Sequence, residues 1–216
     1  EQRFLDYKSI ALKGQDFNKI IEKGTAIVDI GGGSIQVSLF DKDKLVATQN
    51  LRLGVLRLQE LLNKLNARPA KYEGLLEEMI DSQLSVFKKL YLKDRIVENI
   101  IIVDDYVSTL IQKRLTGSQT PGYVDSASYG VFMEALRSHT KEEVAAHFGV
   151  SVESLPLIFI SAVLIYNVAK LMEAKLLWAP GVTLCDGIAY EYAEKNKIIG
   201  PKHDFEQDIV ACARNI

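Results

Sequence analysis

Several residue types that carry chemistry are scarce in this chain. Its 216 residues include two cysteines, three histidines and one tryptophan. Cys185 and Cys212 have no metal-ligand spacing and no secretory context, which argues against a disulfide framework. His139, His147 and His203 share no face and are expected in solvent-facing or capping roles. Lys and Arg number 26 against 28 Asp and Glu, a net charge of −2, with no basic block. That excludes the clustered cationic face a nucleic-acid partner needs. No uninterrupted apolar run reaches the roughly 18–20 residues that cross a bilayer, so no membrane partner is expected. No signal peptide opens the chain, and a soluble cytoplasmic protein is the default expectation. The opening "EQRFLDYKSIALK" does not resemble a translation start and reads as an excised fragment.

What is present suits a folded domain. Apolar residues make up 48% and charged residues 25%, ample for a core. Residues 1–13 have helical spacing. "TAIVDI" reads as a buried strand, and "IQVSLF" alternates Ile35, Val37 and Leu39 inward against Gln36 and Ser38 outward. A polar turn, Asp41 to Lys44, leads to a third strand closing at Gly54. Helical periodicity then covers Leu56 to Leu65 and Tyr72 to about Leu92, the latter with a stripe ending at Phe87 and Leu90. "NIIIVDD" suits a buried parallel strand, followed by a helix from about Val107 to Leu115. Thr116 to Asp125 reads as a loop. Thr140 with Glu143 forms a capping box before a short helix. A long apolar helix is expected over about Leu155 to Leu177, then a strand end, a Pro-Gly turn and two final helices. No repeat appears, and residues 1–216 read as one domain. This order predicts an α/β fold, a mixed sheet opened by two adjacent hairpins with helices on its faces, as in an RNase H-like, actin-type domain.

The most informative stretch is "AIVDIGGGSIQVSLF", Ala26 to Phe40. Glycine accepts positive φ and lets an outside group approach the backbone. A glycine-rich turn between strands can also point successive N–H groups one way, making a cup for phosphate oxygens. Ser34 adds a hydroxyl. Asp29, ending a buried strand, is placed to hold a divalent cation that bridges phosphate. The competing reading is a tight hairpin whose glycines serve geometry and whose Asp caps the turn. No Lys follows the glycines and no helix opens directly after them, so the motif is not a Walker loop.

"IVDIGGGSIQ" resembles the phosphate loop of the exopolyphosphatase / guanosine pentaphosphate phosphatase family, in the actin-like ATPase superfamily. The likeness continues in order along the chain. "EQRFL" is similar to the end of that family's Glu-Glu-Ala-Arg-Leu segment, and "LRLGVLRLQELL", Leu51 to Leu62, to its strand–Gly–helix. "PGVTLCDGIAYEY", Pro180 to Tyr192, is similar to its Gly-Leu-Arg-Glu-Gly segment. The resemblance implies the second of two actin-like domains, with an opposing phosphate loop on an N-terminal domain absent from this chain. It also implies Mg²⁺, a polyphosphate or phosphorylated guanine nucleotide as partner, and a possible homodimer. By the same resemblance, Asp29 is the catalytic, metal-associated carboxylate and Gly31, Gly32, Gly33 and Ser34 cradle phosphate. Glu1 sits at the glutamate pair that activates water, as the catalytic member or its neighbour. Gln36, Asp186 and Gly187 hold secondary positions.

Three departures from the family pattern bear on activity. Gln36 stands where a glutamate is usual and supplies no charge for a cation. "IIVDDYVST" lacks the family's glycine turn and puts Asp104 and Asp105 there, as a metal pair or, more in keeping with their place before a helix, as a cap. Cys185-Asp186-Gly187 replaces Arg-Glu-Gly and removes a cation. The resemblance therefore implies a hydrolase releasing terminal phosphate, with a weakened or inactive phosphate-binding relative as the alternative. An actin-type ATPase or kinase would need a glycine motif after Val103, which is absent. Cys185 is expected as a buried structural thiol, Trp178 as core, and Glu77, Glu78 and Asp81 as a solvated helix face.

Overall fold

A computed structural model describes residues 2–13, 17–42, 44–65, 69–113, 122–201 and 203–214. Helices α1 (Gln2–Lys13) and α2 (Phe17–Ile21) precede three strands, β1 (Thr25–Ile30), β2 (Ile35–Asp41) and β3 (Lys44–Leu51). Helices α3 (Val55–Lys64) and α4 (Pro69–Phe87) follow, the latter continuing as a π-helical turn over Lys88–Leu92. Next come β4 (Asn99–Val103), α5 (Ser108–Lys113), β5 (Tyr123–Asp125), α6 (Ser126–Ser138), α7 (Lys141–Phe148) and α8 (Leu155–Met172). The described chain ends with β6 (Leu176–Trp178), α9 (Leu184–Lys195) and α10 (Phe205–Arg214).

The six strands form one mixed sheet in the order β3-β2-β1-β4-β6-β5. The first three pair antiparallel, while β1, β4 and β6 run parallel through the centre. Both faces are covered, which is why the central strands are almost continuously apolar. On one face Ala26, Val28, Val37 and Ile102 join a core with residues of α3, α4 and α8, among them Leu58, Ile80 and Leu164. On the other, Ile27, Phe40 and Ile101 meet Tyr7 and Ile10 of α1 and Phe205 of α10.

Several expectations are revised. Ser38, predicted to point outward, is fully buried, because α1 covers the face that alternation alone assigns to solvent. Leu90 is half exposed; the π turn rotates it off the α4 stripe, and Leu92 takes the inward place. The apolar helix ends at Met172 rather than Leu177, where Glu173 turns left-handed at φ 55°, and Leu176–Trp178 pairs with both β4 and β5. Tyr123–Asp125, expected in a loop, is that antiparallel partner; residues 114–121 of the same loop lie outside the described residues. Helix α8 with the preceding turn, Val152–Met172, is long and apolar enough to cross a membrane by length and composition. Twelve residues of α8 are nevertheless buried in the core, which accounts for the apolarity. Trp178 is buried and stacks on Tyr123, as a core residue should.

Candidate functional site

The C-terminal ends of parallel strands are where open α/β sheets present their ligand crevices. Asp29, near the end of β1, lies across from Val103 at the end of β4 and from Gln36 at the start of β2. The turn between β1 and β2 is the Gly31–Ser34 run, closed by the Gly31 N–H donating to the Ser34 carbonyl at 3.0 Å.

The carbonyls of this turn are fixed by α3. Val55 N–H donates to Gly31 O at 3.1 Å and Arg57 N–H to Gly32 O at 3.0 Å, while Arg57 Nε donates to Gly33 O at 2.9 Å. A trans peptide unit holds its N–H opposite its C=O. Carbonyls drawn toward α3 therefore turn the N–H groups of Gly32, Gly33 and Ser34 away from it. Among the described residues, the Gly32 and Gly33 N–H groups have no protein acceptor. The arrangement is a short row of amides facing outward, the electrostatic form of an anion cup.

Positive φ plays no part here. Among the described residues the left-handed glycines are Gly24, Gly122, Gly149 and Gly181, not the three in the turn. Space around the turn differs from one glycine to the next. A Cβ on Gly32 would come within 2.9 Å of Leu56 Cδ1, and one on Gly31 within 3.2 Å of Ser34 O. Gly33 is different: a Cβ there would meet no protein atom within 4 Å, so its bare backbone faces open space.

Beneath the turn runs a polar chain that sequence spacing did not show. Gln36 Nε2 donates to the Tyr7 hydroxyl at 2.6 Å. That hydroxyl also bonds Ser38 Oγ, which in turn lies 2.8 Å from Thr48 Oγ1. Burial raises the Tyr7 pKa, with the Ser38 and Gln36 bonds offsetting it and the nearby Asp29 charge adding to it. Tyr7 thus links α1 to β2 directly under Asp29. Its partners lie 31 and 29 residues away, so no local motif could announce it. The periodicity of α1, with Tyr7 on its apolar side, was the available signal.

The remaining predicted residues are scattered. Asp104 belongs to the opposite side of the sheet from Asp29: it faces α8, where its Oδ2 accepts the Ser161 hydroxyl. Its Oδ1 accepts the N–H groups of Tyr106, Val107 and Ser108 at 2.9, 2.6 and 2.9 Å. It caps α5, the second of the two roles expected for the Asp104–Asp105 pair. Burial raises the Asp104 pKa despite these four bonds. Asp186 forms a capping box with Thr183 on α9: its Oδ2 accepts the Thr183 N–H at 2.7 Å and hydroxyl at 2.8 Å. Partial burial opposes its charge, but the Thr183 bonds and Lys13 hold its pKa below the ordinary value. Gly187 lets α9 cross α1, since a Cβ there would reach 2.5 Å from Leu5 O. Glu1 lies outside the described residues.

Other expectations resolve plainly. Cys185 is exposed, not buried, because it falls in the outer first turn of α9. His203 is neither solvent-facing nor a cap; its ring bonds Asp208 at 2.6 Å beside Phe17 and Phe205. His139 and His147 are exposed. Glu77 sits 3.8 Å from Arg137 and is only partly solvated.

Among the described residues no cluster of three or more His, Cys, Asp or Glu side chains is placed to hold a metal. Mg²⁺ normally takes one or two carboxylates plus waters and substrate phosphates. Asp29 supplies one, and Gln36 can add only an amide oxygen. These residues fit a Mg²⁺ that arrives with a phosphate ligand, not a resident ion in a protein cage.

No family model and no curated protein sequence matches the chain. Solved structures do. A Ppx/GppA family member from Aquifex aeolicus superposes on 90% of the chain with a TM-score of 0.67 at 16% identity. An exopolyphosphatase from Cytophaga hutchinsonii gives the same TM-score, identity and coverage. An exopolyphosphatase-like protein matches 79% of the chain with a TM-score of 0.62 at 14% identity. The chain spans 62%, 63% and 60% of these three proteins respectively. The chain therefore has the fold of the Ppx/GppA exopolyphosphatase proteins over about 90% of its length.

Proposed function

We propose that this chain is the phosphate-gripping domain of an exopolyphosphatase-type hydrolase, which releases terminal phosphate from inorganic polyphosphate or guanosine pentaphosphate with Mg²⁺. The single observation that carries the reading is the outward row of amides at Gly32 and Gly33, left without protein acceptors while α3 holds the carbonyls behind them. Amide donors of this kind neutralise charge that develops on a transferred phosphoryl group. In this reading Ser34 adds a donor and Asp29 would hold a Mg²⁺. Such an ion would supply charge neutralisation. Gln36, anchored through its nitrogen to Tyr7, keeps its carbonyl oxygen as an acceptor that can orient a water but not deprotonate it. Glu1 is proposed to take the proton. A preceding domain is proposed to close the cleft, in keeping with the 60–63% of the similar chains that this one spans.

A second reading has its own support. Beside Asp29, the Asp104 and Asp186 carboxylates cap helices and Gln36 is neutral. A site so short of charge can bind a phosphorylated ligand without hydrolysing it. The deciding measurement is phosphate release from polyphosphate by the full-length protein with Mg²⁺, alongside an Asp29→Ala variant. Release by the native protein and its loss in the variant upholds the hydrolase. Retained binding of radiolabelled polyphosphate without release selects the second reading, and absence of both rejects the anion cup.

A further inference from the structure

A cavity of about 520 Å³ lies among the helices on the α3–α4–α8 face of the sheet, and no residue of the glycine turn lines it. It is walled by α3, α4, α6, α7 and α8. Its floor is apolar: Leu136, Val144, Leu155, Pro156 and Phe159, with the Tyr72 ring 6.5 Å from that of Phe159. Its volume falls within the roughly 300–1,000 Å³ common to small-molecule sites, which pair an apolar lining with a few polar groups.

The rim is polar and one-signed. Gln59 and Asn63 stand one turn apart on α3, with Tyr72 on α4 and Lys141 opening α7. Among the described residues, none of these four side chains has a hydrogen-bond or ion-pair partner. Among the described residues that line the cavity, Lys141 carries positive charge, His139 stands beside it and there is no carboxylate. The nearby Glu143 is turned onto its own helix cap, its Oε2 accepting the Thr140 N–H at 2.9 Å. Burial raises the Tyr72 pKa and keeps its hydroxyl a neutral donor. An aromatic floor, two amides, a hydroxyl donor and an unpaired ammonium together match a ligand with an apolar body and a single anionic head.

We propose that this cavity binds an amphipathic organic anion, a flat or acyl apolar group bearing one carboxylate or phosphate, with the head at Lys141 and Tyr72 and the body over Phe159 and Pro156. The proposal stands apart from the reading of the glycine turn, because it shares no residue with it. The test is fluorescence titration of the protein with 8-anilinonaphthalene-1-sulfonate beside its uncharged relative N-phenyl-1-naphthylamine. Saturable one-to-one binding of the anion is expected, with the uncharged probe about tenfold weaker for want of the charge-assisted bond. Lys141→Glu, on an exposed side chain, should weaken the anion about tenfold without moving the melting temperature, while the uncharged probe is unaffected. Tyr72→Phe should weaken it less. Decanoate and phenyl phosphate serve as competitors: displacement by either supports the site and tells which head group it favours. Non-saturable binding, displacement by neither, or an affinity unchanged in Lys141→Glu would overturn the proposal.

Discussion

Gly54 lies flat against Gly33: a Cβ at position 54 would overlap the Gly33 carbonyl carbon and the Ser34 nitrogen. The residue that opens α3 is thus the seat on which the glycine turn rests. Gly54→Ala must push the two segments apart or bend both. Overpacking of this kind costs about 3 kcal/mol, a fall in melting temperature on the order of 10 °C for a chain of this size. Thermal unfolding followed by circular dichroism measures it, and a shift below about 2 °C would contradict the packing described.

Gly33→Ala should behave in the opposite way. Its Cβ meets no protein atom, so stability is expected to change by less than about 0.5 kcal/mol. A phosphate held by the Gly32 and Gly33 amides would collide with that methyl group. Polyphosphate affinity is therefore expected to fall about tenfold while the melting temperature holds. Equal binding by Gly33→Ala and the native protein would show that nothing approaches this backbone.

Much of this architecture was legible because local pattern and tertiary demand agree. The β1 and β2 runs are apolar at the positions that face α3, α4 and α8, and the Thr140–Glu143 box forms as its spacing requires. Legibility failed where a distant element changed the demand. Ser38 obeys alternation, yet α1 covers its face, and the hydroxyl is satisfied by Tyr7 and Thr48 instead of water. Helix α6 was not anticipated, although Asp125 caps it through Ser128 N–H and Tyr129, Phe132 and Met133 share its buried side. At the site, Asp29 and the glycines could be read from adjacency alone. The clamp of Gln36 by Tyr7 could not, since it joins segments that meet only after α1 folds over the sheet.

That clamp makes Gln36→Glu informative. The native amide donates to Tyr7, whereas a carboxylate would accept from the Tyr7 hydroxyl, so the contact survives with its direction reversed. The substitution places a second negative charge across the strand pair from Asp29. Two carboxylates hold Mg²⁺ better than one. Half-saturation by Mg²⁺ in the polyphosphate assay is expected at about tenfold lower concentration, with phosphate release raised. An unchanged Mg²⁺ requirement would remove Gln36 from the site.

Asp104 offers a test of the fold through pH. Burial raises its folded pKa above the ordinary 3.8, so the protonated form favours the folded state. The associated stability is fully present below pH 3.8 and is lost as pH rises through the raised value. Asp104→Asn keeps an oxygen for the Tyr106, Val107 and Ser108 amides and cannot ionise, and the Ser161 hydroxyl can turn to accept from its NH₂. Urea unfolding from pH 4 upward should show native stability falling relative to Asp104→Asn. Asp104→Ala, which strands three amides and a hydroxyl, should cost about 3 kcal/mol or more at every pH. Parallel curves for the native and Asn proteins would mean that the carboxylate is no more protonated in the fold than in the open chain, and that its four bonds balance its burial.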